Sequence, residues 1–121
     1  MLSNKKLHWT EHSKIKMRQY GLSKIKLTNL FYKFERKEKG IVPGTTALMK
    51  TNKIFFKTKK IDLKNLWKQP KKTPGEIWLM YKDVKDSIKI ISAWRYPGVS
   101  KPGEEIPIPE DIREEILKDN I

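Results

Sequence analysis

Two runs rich in aromatic and branched residues, Glu76–Lys82 and Ile88–Tyr96, are separated only by the short charged break from Asp83 to Ser87. Paired apolar runs this close predict a β-hairpin, and the rest of the chain must then supply layers that cover its faces. Strict alternation puts Ile77, Leu79 and Tyr81 on one face of the first strand, and Ile88, Ile90, Ser92, Trp94 and Tyr96 on one face of the second. The second strand ends in Trp94-Arg95-Tyr96, immediately before Pro97-Gly98 stops the pairing. An arginine between two aromatics at a strand end is the leading candidate site. Ordinary edge packing is its plainer reading.

The segments before the hairpin read as helices. Lys5–Trp9 suits a short edge strand; Thr10 is an N-cap, Glu11 favours the first turn, and Gly21 stops a helix ending at Tyr20. Ser23 caps a second helix, with Leu22 and Leu27 spaced as a hydrophobic staple. Leu27, Leu30, Phe31 and Phe34 keep the i, i+3, i+4, i+7 spacing of a buried face, which carries this helix to a stop at Gly40. Lys26, Lys33 and Arg36 take its other face. Thr45–Met49 follows as a strand, and Ile54-Phe55-Phe56 reads as a possible continuation of the sheet. Asp62 suits the cap of one or two helical turns with Leu63, Leu66 and Trp67 inward and Pro70 as the stop. After the hairpin, the proline-rich stretch Pro97–Pro109 is a turn or extended connection, and Pro109 opens a last helix with a stripe of Ile112, Ile116 and Leu117. The predicted class is α+β: a two-helix hairpin on a twisted antiparallel sheet of about four strands, plus a C-terminal helix, in one domain spanning 1–121.

Charge narrows the function. The 121 residues carry a formal net charge of +13, more than solubility requires, which points to a polyanionic partner. Residues 1–100 hold 24 Lys+Arg against 7 Asp+Glu, whereas residues 101–121 hold 3 against 7, so the acidic C-terminal segment can fold back on a basic body. The excursion 51–75 alone has 8 Lys+Arg and 1 Asp. It reads either as a solvated loop or as a phosphate-contacting arm. Cysteine is absent, which excludes disulfides and thiolate metal sites. Neither a membrane span nor a secretory signal is expected, and the default location is the cytoplasm.

Known catalytic patterns fit poorly. His8-Trp9-Thr10-Glu11-His12 matches H-x-x-E-H, but zinc peptidase chemistry needs both histidines on one helical turn and Thr10 leaves His8 outside the helix. Gly44-Thr45-Thr46 lacks the lysine and second glycine of a phosphate loop. No nucleophile elbow or carboxylate cluster for magnesium is present, so no metal or other cofactor is expected. RNA cleavage by 2′-hydroxyl attack is compatible: it needs groups that move protons and cations around the phosphorane. His12 or Tyr96 would handle protons and the Arg95 fork would hold the phosphate, if the first helix lies beside the last strand. Glu76 is a further candidate base. Lys16 and Arg18 on the helix, and Lys57, Lys59, Lys60, Lys71 and Lys72 in the excursion, are candidate phosphate contacts. Trp67 is the candidate stacking platform, while Trp78 and Trp94 read as core.

The stretch His12–Ser23 resembles the opening of a small bacterial and phage domain family placed near the RelE/ParE and BrnT toxins: a histidine on a basic helix, then a Gly–aliphatic–Ser turn into a second helix. Glu76 to Glu105 resembles a tail recurring in small proteins of reduced-genome bacteria, with Ala93-Trp94-Arg95-Tyr96-Pro97-Gly98 as its most distinctive piece. The toxin resemblance implies a RelE-like fold and ribosome-linked endoribonuclease activity with Arg95 and Tyr96 near the last strand and His12 on the helix. It also implies an antitoxin partner. A non-catalytic RNA- or ribosome-binding module and a ParE-like protein-binding toxin are the alternatives. The lysine-rich excursion, the long acidic C-terminal segment and the lack of a sheet histidine depart from the family's pattern.

Overall fold

The computed structural model describes residues 6–52, 54–55, 72–73 and 75–118. In chain order the elements are β1 (Lys6–Trp9), α1 (Glu11–Tyr20), α2 (Lys24–Tyr32), β2 (Arg36–Lys39), β3 (Thr45–Thr51), β4 (Ile54–Phe55), β5 (Lys72–Thr73), β6 (Glu76–Asp83), β7 (Ser87–Tyr96) and α3 (Glu110–Lys118). Five strands form the main sheet in the order β1-β7-β6-β3-β2, and β4 and β5 make a separate two-stranded ribbon. Among the described strands only the β1–β7 pairing is parallel. The class is α+β, with one strand more in the main sheet than expected.

That extra strand is β2. The Leu27–Phe34 periodicity predicts a helix reaching Gly40, yet α2 stops at Tyr32, and Phe34 is exposed. Residues 36–39 instead pair with 46–49 of β3. Four charged residues form a strand there because one face suffices at a sheet edge, and charges on an edge discourage pairing with another chain. Ile54–Phe55 lies on the separate ribbon rather than extending the main sheet.

The β6–β7 hairpin forms as read, with one irregularity that changes its faces. Met80 pairs with Ser92 and Tyr81 with Ile90, so Ile91 is an extra residue in β7. A bulge shifts alternation by one residue. Ile88 and Ile90 therefore share a face with Ala93, while Ile91 and Trp94 take the other. The expectation that Ile88, Ile90, Ser92, Trp94 and Tyr96 line one face fails for this reason.

Each face carries its own core. On one, Met17, Leu22, Leu27, Leu30 and Phe31 pack on Leu48, Ile77, Leu79, Tyr81, Ile88, Ile90 and Ala93. On the other, Ala47, Met49, Trp78, Met80, Ile91 and Trp94 are covered by Ile106, Ile108, Ile112 and Ile116 of the C-terminal segment. Leu117, expected in that stripe, is exposed. The caps form as the sequence predicts: Ser13 N donates to Thr10 Oγ1, Lys26 N donates to Ser23 Oγ, and Gly21 adopts φ 65°. Thr10 also donates its N–H to Ile90 O, so one residue ends β1 and starts α1. The chain runs straight from the outer strand into the helix, and α1 lies along β7 while α2 packs against β3 and β6.

Candidate nucleic-acid interface

Placing α1 beside β7 brings His12 to the strand. Its Nε2 lies 3.2 Å from Ser92 Oγ, and its Nδ1 lies 2.9 Å from Glu115 Oε2 of α3. Serine, histidine and carboxylate in a row have the connectivity of a hydrolytic triad. Ser92, however, is fully buried in the middle of β7, where no substrate can reach its oxygen. The chain of contacts ties α1 and the sheet to α3.

The other two proposed catalytic groups do not join His12. Arg95 donates from Nε to Tyr20 O at 2.7 Å and from Nη2 to Gly21 O at 3.2 Å. Its guanidinium thus caps the C-terminus of α1, a place where the helix dipole favours a cation. Tyr96 packs against the tryptophan-containing core, on the face opposite Ala93. Adjacent strand residues point to opposite faces, so Arg95 and Tyr96 diverge. Glu76 is buried too, accepting from Trp78 Nε1 at 3.1 Å, Ser100 N at 3.1 Å and Ser100 Oγ at 2.6 Å.

Lys16 is also committed internally. Its buried ammonium donates to Asp111 at 2.8 Å and to Gln19 at 3.1 Å, with Glu115 at 3.5 Å. Burial pushes its pKa down, but the hydrogen bonds and charges of Asp111 and Glu115 together outweigh that and raise it. Asp111 is held below the usual carboxylate range, chiefly by its hydrogen bond to Lys16. Glu38 is lowered by its hydrogen bond to Arg36 and then by the Gly103 N–H. The signs set a window. Lowered carboxylates stabilise the fold above their unfolded pKa of about 4 and lose that contribution as pH falls through their folded values. The raised lysine contributes fully below about pH 10 and loses it as pH rises through its folded value. The joint contribution of these three groups is expected to be level between about pH 5 and 10 and to fall on either side in urea titrations across pH.

Five other cations line the surface around the turn from α1 to α2. Two adjoining grooves meet at Ser23. One, of about 600 Å³, is lined by Lys14, Arg18 and Lys24, and the other, of about 370 Å³, by Lys26 and Lys50. These five cations line grooves that contain no carboxylate, although Lys14 also contacts Glu11 at 3.4 Å. The first turn of α2 has no acidic residue. Lys24 and Lys26 instead sit at the positive end of the helix dipole, where a cation costs about 0.3–1 kcal/mol each. A bound anion would relieve that repulsion.

No family model, curated protein or solved structure matches this chain. The toxin resemblance therefore rests on the quoted residues alone. Of the expected phosphate contacts, Arg18 lies in the basic groove and Lys16 does not. Lys57, Lys59, Lys60, Lys71 and Trp67 lie outside the described residues, as does the short helix expected after Asp62; Lys72 belongs to β5. Lys24 and Lys50, which also line the grooves, are not singled out by composition. The available signal was the pair of lysines just after the Ser23 cap, the wrong end of a helix for positive charge. Among the described residues no group of three histidine or carboxylate side chains could hold a metal ion, and no helix is long and apolar enough to cross a membrane.

Proposed function

We propose that this domain is a non-catalytic RNA-binding module that holds a phosphate backbone along the α1–α2 turn. The observation that carries this reading is the pair of adjoining grooves lined by five cations and no carboxylate. The acidic residues Asp111 and Glu115 support it from the other side, because they engage Lys16 and His12 rather than the cations that line the grooves. Binding would release counterions, so affinity must fall steeply with salt.

Binding to labelled RNA across a salt series tests the proposal. Arg18→Ala/Lys24→Ala/Lys26→Ala is expected to weaken binding roughly 10- to 100-fold at low salt and to flatten the log–log salt slope by about 2, at about 0.7 per lost phosphate contact. An unchanged slope would place the phosphate contacts elsewhere. The RelE-like endoribonuclease reading requires Arg95 to meet His12 or Tyr96 at one phosphate, and for His12 that means leaving its contact with Glu115 of α3. RNA cleavage in EDTA that His12→Ala abolishes would replace the present reading with that one. Salt-insensitive binding to a protein target would favour the ParE-like alternative.

A further inference from the structure

Six large apolar side chains are exposed among the described residues, and three of them belong to α2 and the turn after it: Ile25 at 76%, Tyr32 at 52% and Phe34 at 44%. Ile25, Asn29 and Tyr32 recur at i, i+4 and i+7 and so form one solvent-facing stripe, while Leu27, Leu30 and Phe31 hold the opposite side in the core. Lys26 and Lys33, each one residue after a member of the stripe, are exposed beside it. The second groove adjoins it, with Ile25, Leu30 and Ile77 as apolar lining and Asn29 and Asn52 as polar lining. Its volume, about 370 Å³, falls in the range of about 300–1,000 Å³ typical of pockets for small organic groups.

We propose that this stripe, with Phe34 just past the end of α2, binds single-stranded RNA, stacking unpaired bases on Tyr32 and Phe34 while Lys26 and Lys33 hold the intervening phosphates. The inference rests on the RNA-binding reading above and names the strand state that it recognises. Aromatic faces stack with any unpaired base, and stacking combined with a cationic track is the means by which single strands are held without sequence preference. A duplex hides its base faces, and the deep, narrow major groove of double-stranded RNA does not admit a helix. Tyr32 and Phe34 are two residues apart, so their Cα atoms are separated by at most about 7 Å, close enough to engage neighbouring nucleotides. The edge of Phe31 against Tyr32, with centroids 5.0 Å apart at 88°, steadies the Tyr32 ring. Asn29, Asn52 and Thr51 bring donors and acceptors suited to base edges and to the ribose 2′-hydroxyl. That last chemistry favours RNA over DNA.

Fluorescence anisotropy with an unstructured RNA oligonucleotide, its DNA counterpart and the RNA duplex of the same sequence tests the inference on the full chain. The single-stranded RNA is expected to bind at least about tenfold more tightly than either competitor. Tyr32→Ala/Phe34→Ala is expected to lose roughly ten- to a hundredfold in affinity with no change in salt slope, because no phosphate contact is removed. Tyr32→Leu/Phe34→Leu keeps an apolar surface and the fold, and is expected to lose binding to a similar extent. Equal affinity for the duplex or the DNA, or wild-type affinity in the leucine variant, would overturn the inference while leaving the phosphate-binding reading intact. Failure of the wild-type chain to bind any of these probes at low salt would remove both.

Discussion

Trp78→Ala is expected to destabilise the fold by about 4 kcal/mol, in the range of about 3–5 kcal/mol for removing a buried aromatic side chain. Trp78 is fully buried and stacks on Trp94, with ring centroids 6.1 Å apart and planes inclined by 4°. The Arg36 guanidinium lies 5.1 Å from its ring centroid, and its indole N–H donates to Glu76. Alanine would leave a cavity between the sheet and the C-terminal segment, remove the cation–π contact and withdraw one of three donors from a buried carboxylate. Small domains have about 5–15 kcal/mol of stability in all, so the variant is left marginal. Urea unfolding followed by circular dichroism measures the loss. Trp78→Phe, which keeps most of the volume, should recover at least half of it. A cost below about 1 kcal/mol for alanine would show that this face is not closely packed.

The second large effect concerns the ion pairs that join α1 to α3. Asp111→Ala/Glu115→Ala is expected to cost about 3 kcal/mol, because the buried Lys16 ammonium keeps its charge and loses both carboxylates. The value belongs at the low end for a stranded buried charge, since both carboxylates are partly solvated and Gln19 still accepts from Lys16. Adding Lys16→Met to that background removes the charge while filling the space, and should restore more than half of the loss. Failure of methionine to rescue would place the cost in the lost His12–Glu115 contact instead. Unfolding midpoints of the wild type and the double and triple variants, at one ionic strength, decide between these outcomes.

These two sites also mark the limits of reading the chain by local pattern. Thr10, Ser23 and Gly21 were legible as caps because capping depends on residues a few positions apart, whose geometry any helix reproduces. The β6–β7 hairpin was legible for a similar reason: two dense apolar runs across a short break have one economical pairing. The end of α2 was not. Its apolar spacing continues to Phe34, but residues 36–39 gain a ladder of hydrogen bonds on β3 that no local preference reveals. Likewise Arg95 looked available for phosphate until α1 was laid along β7, where the open carbonyls of Tyr20 and Gly21 took its guanidinium. Burial of Lys16 was invisible because its partners are 95 and 99 residues away.

By itself, the sequence determined the α+β class, the long hairpin, both helix starts, the C-terminal helix and a net charge of +13. All of these follow from near neighbours or from simple sums of charge. Only the tertiary structure decided which face each β7 residue occupies, since a single bulged residue at Ile91 reverses the alternation beyond it. It likewise decided which cations are free: Lys16, Arg36 and Arg95 are engaged within the protein, while Arg18, Lys24 and Lys26 face solvent. A charge acts on a ligand only where packing has not already paired it, and packing brings together residues that the chain keeps far apart.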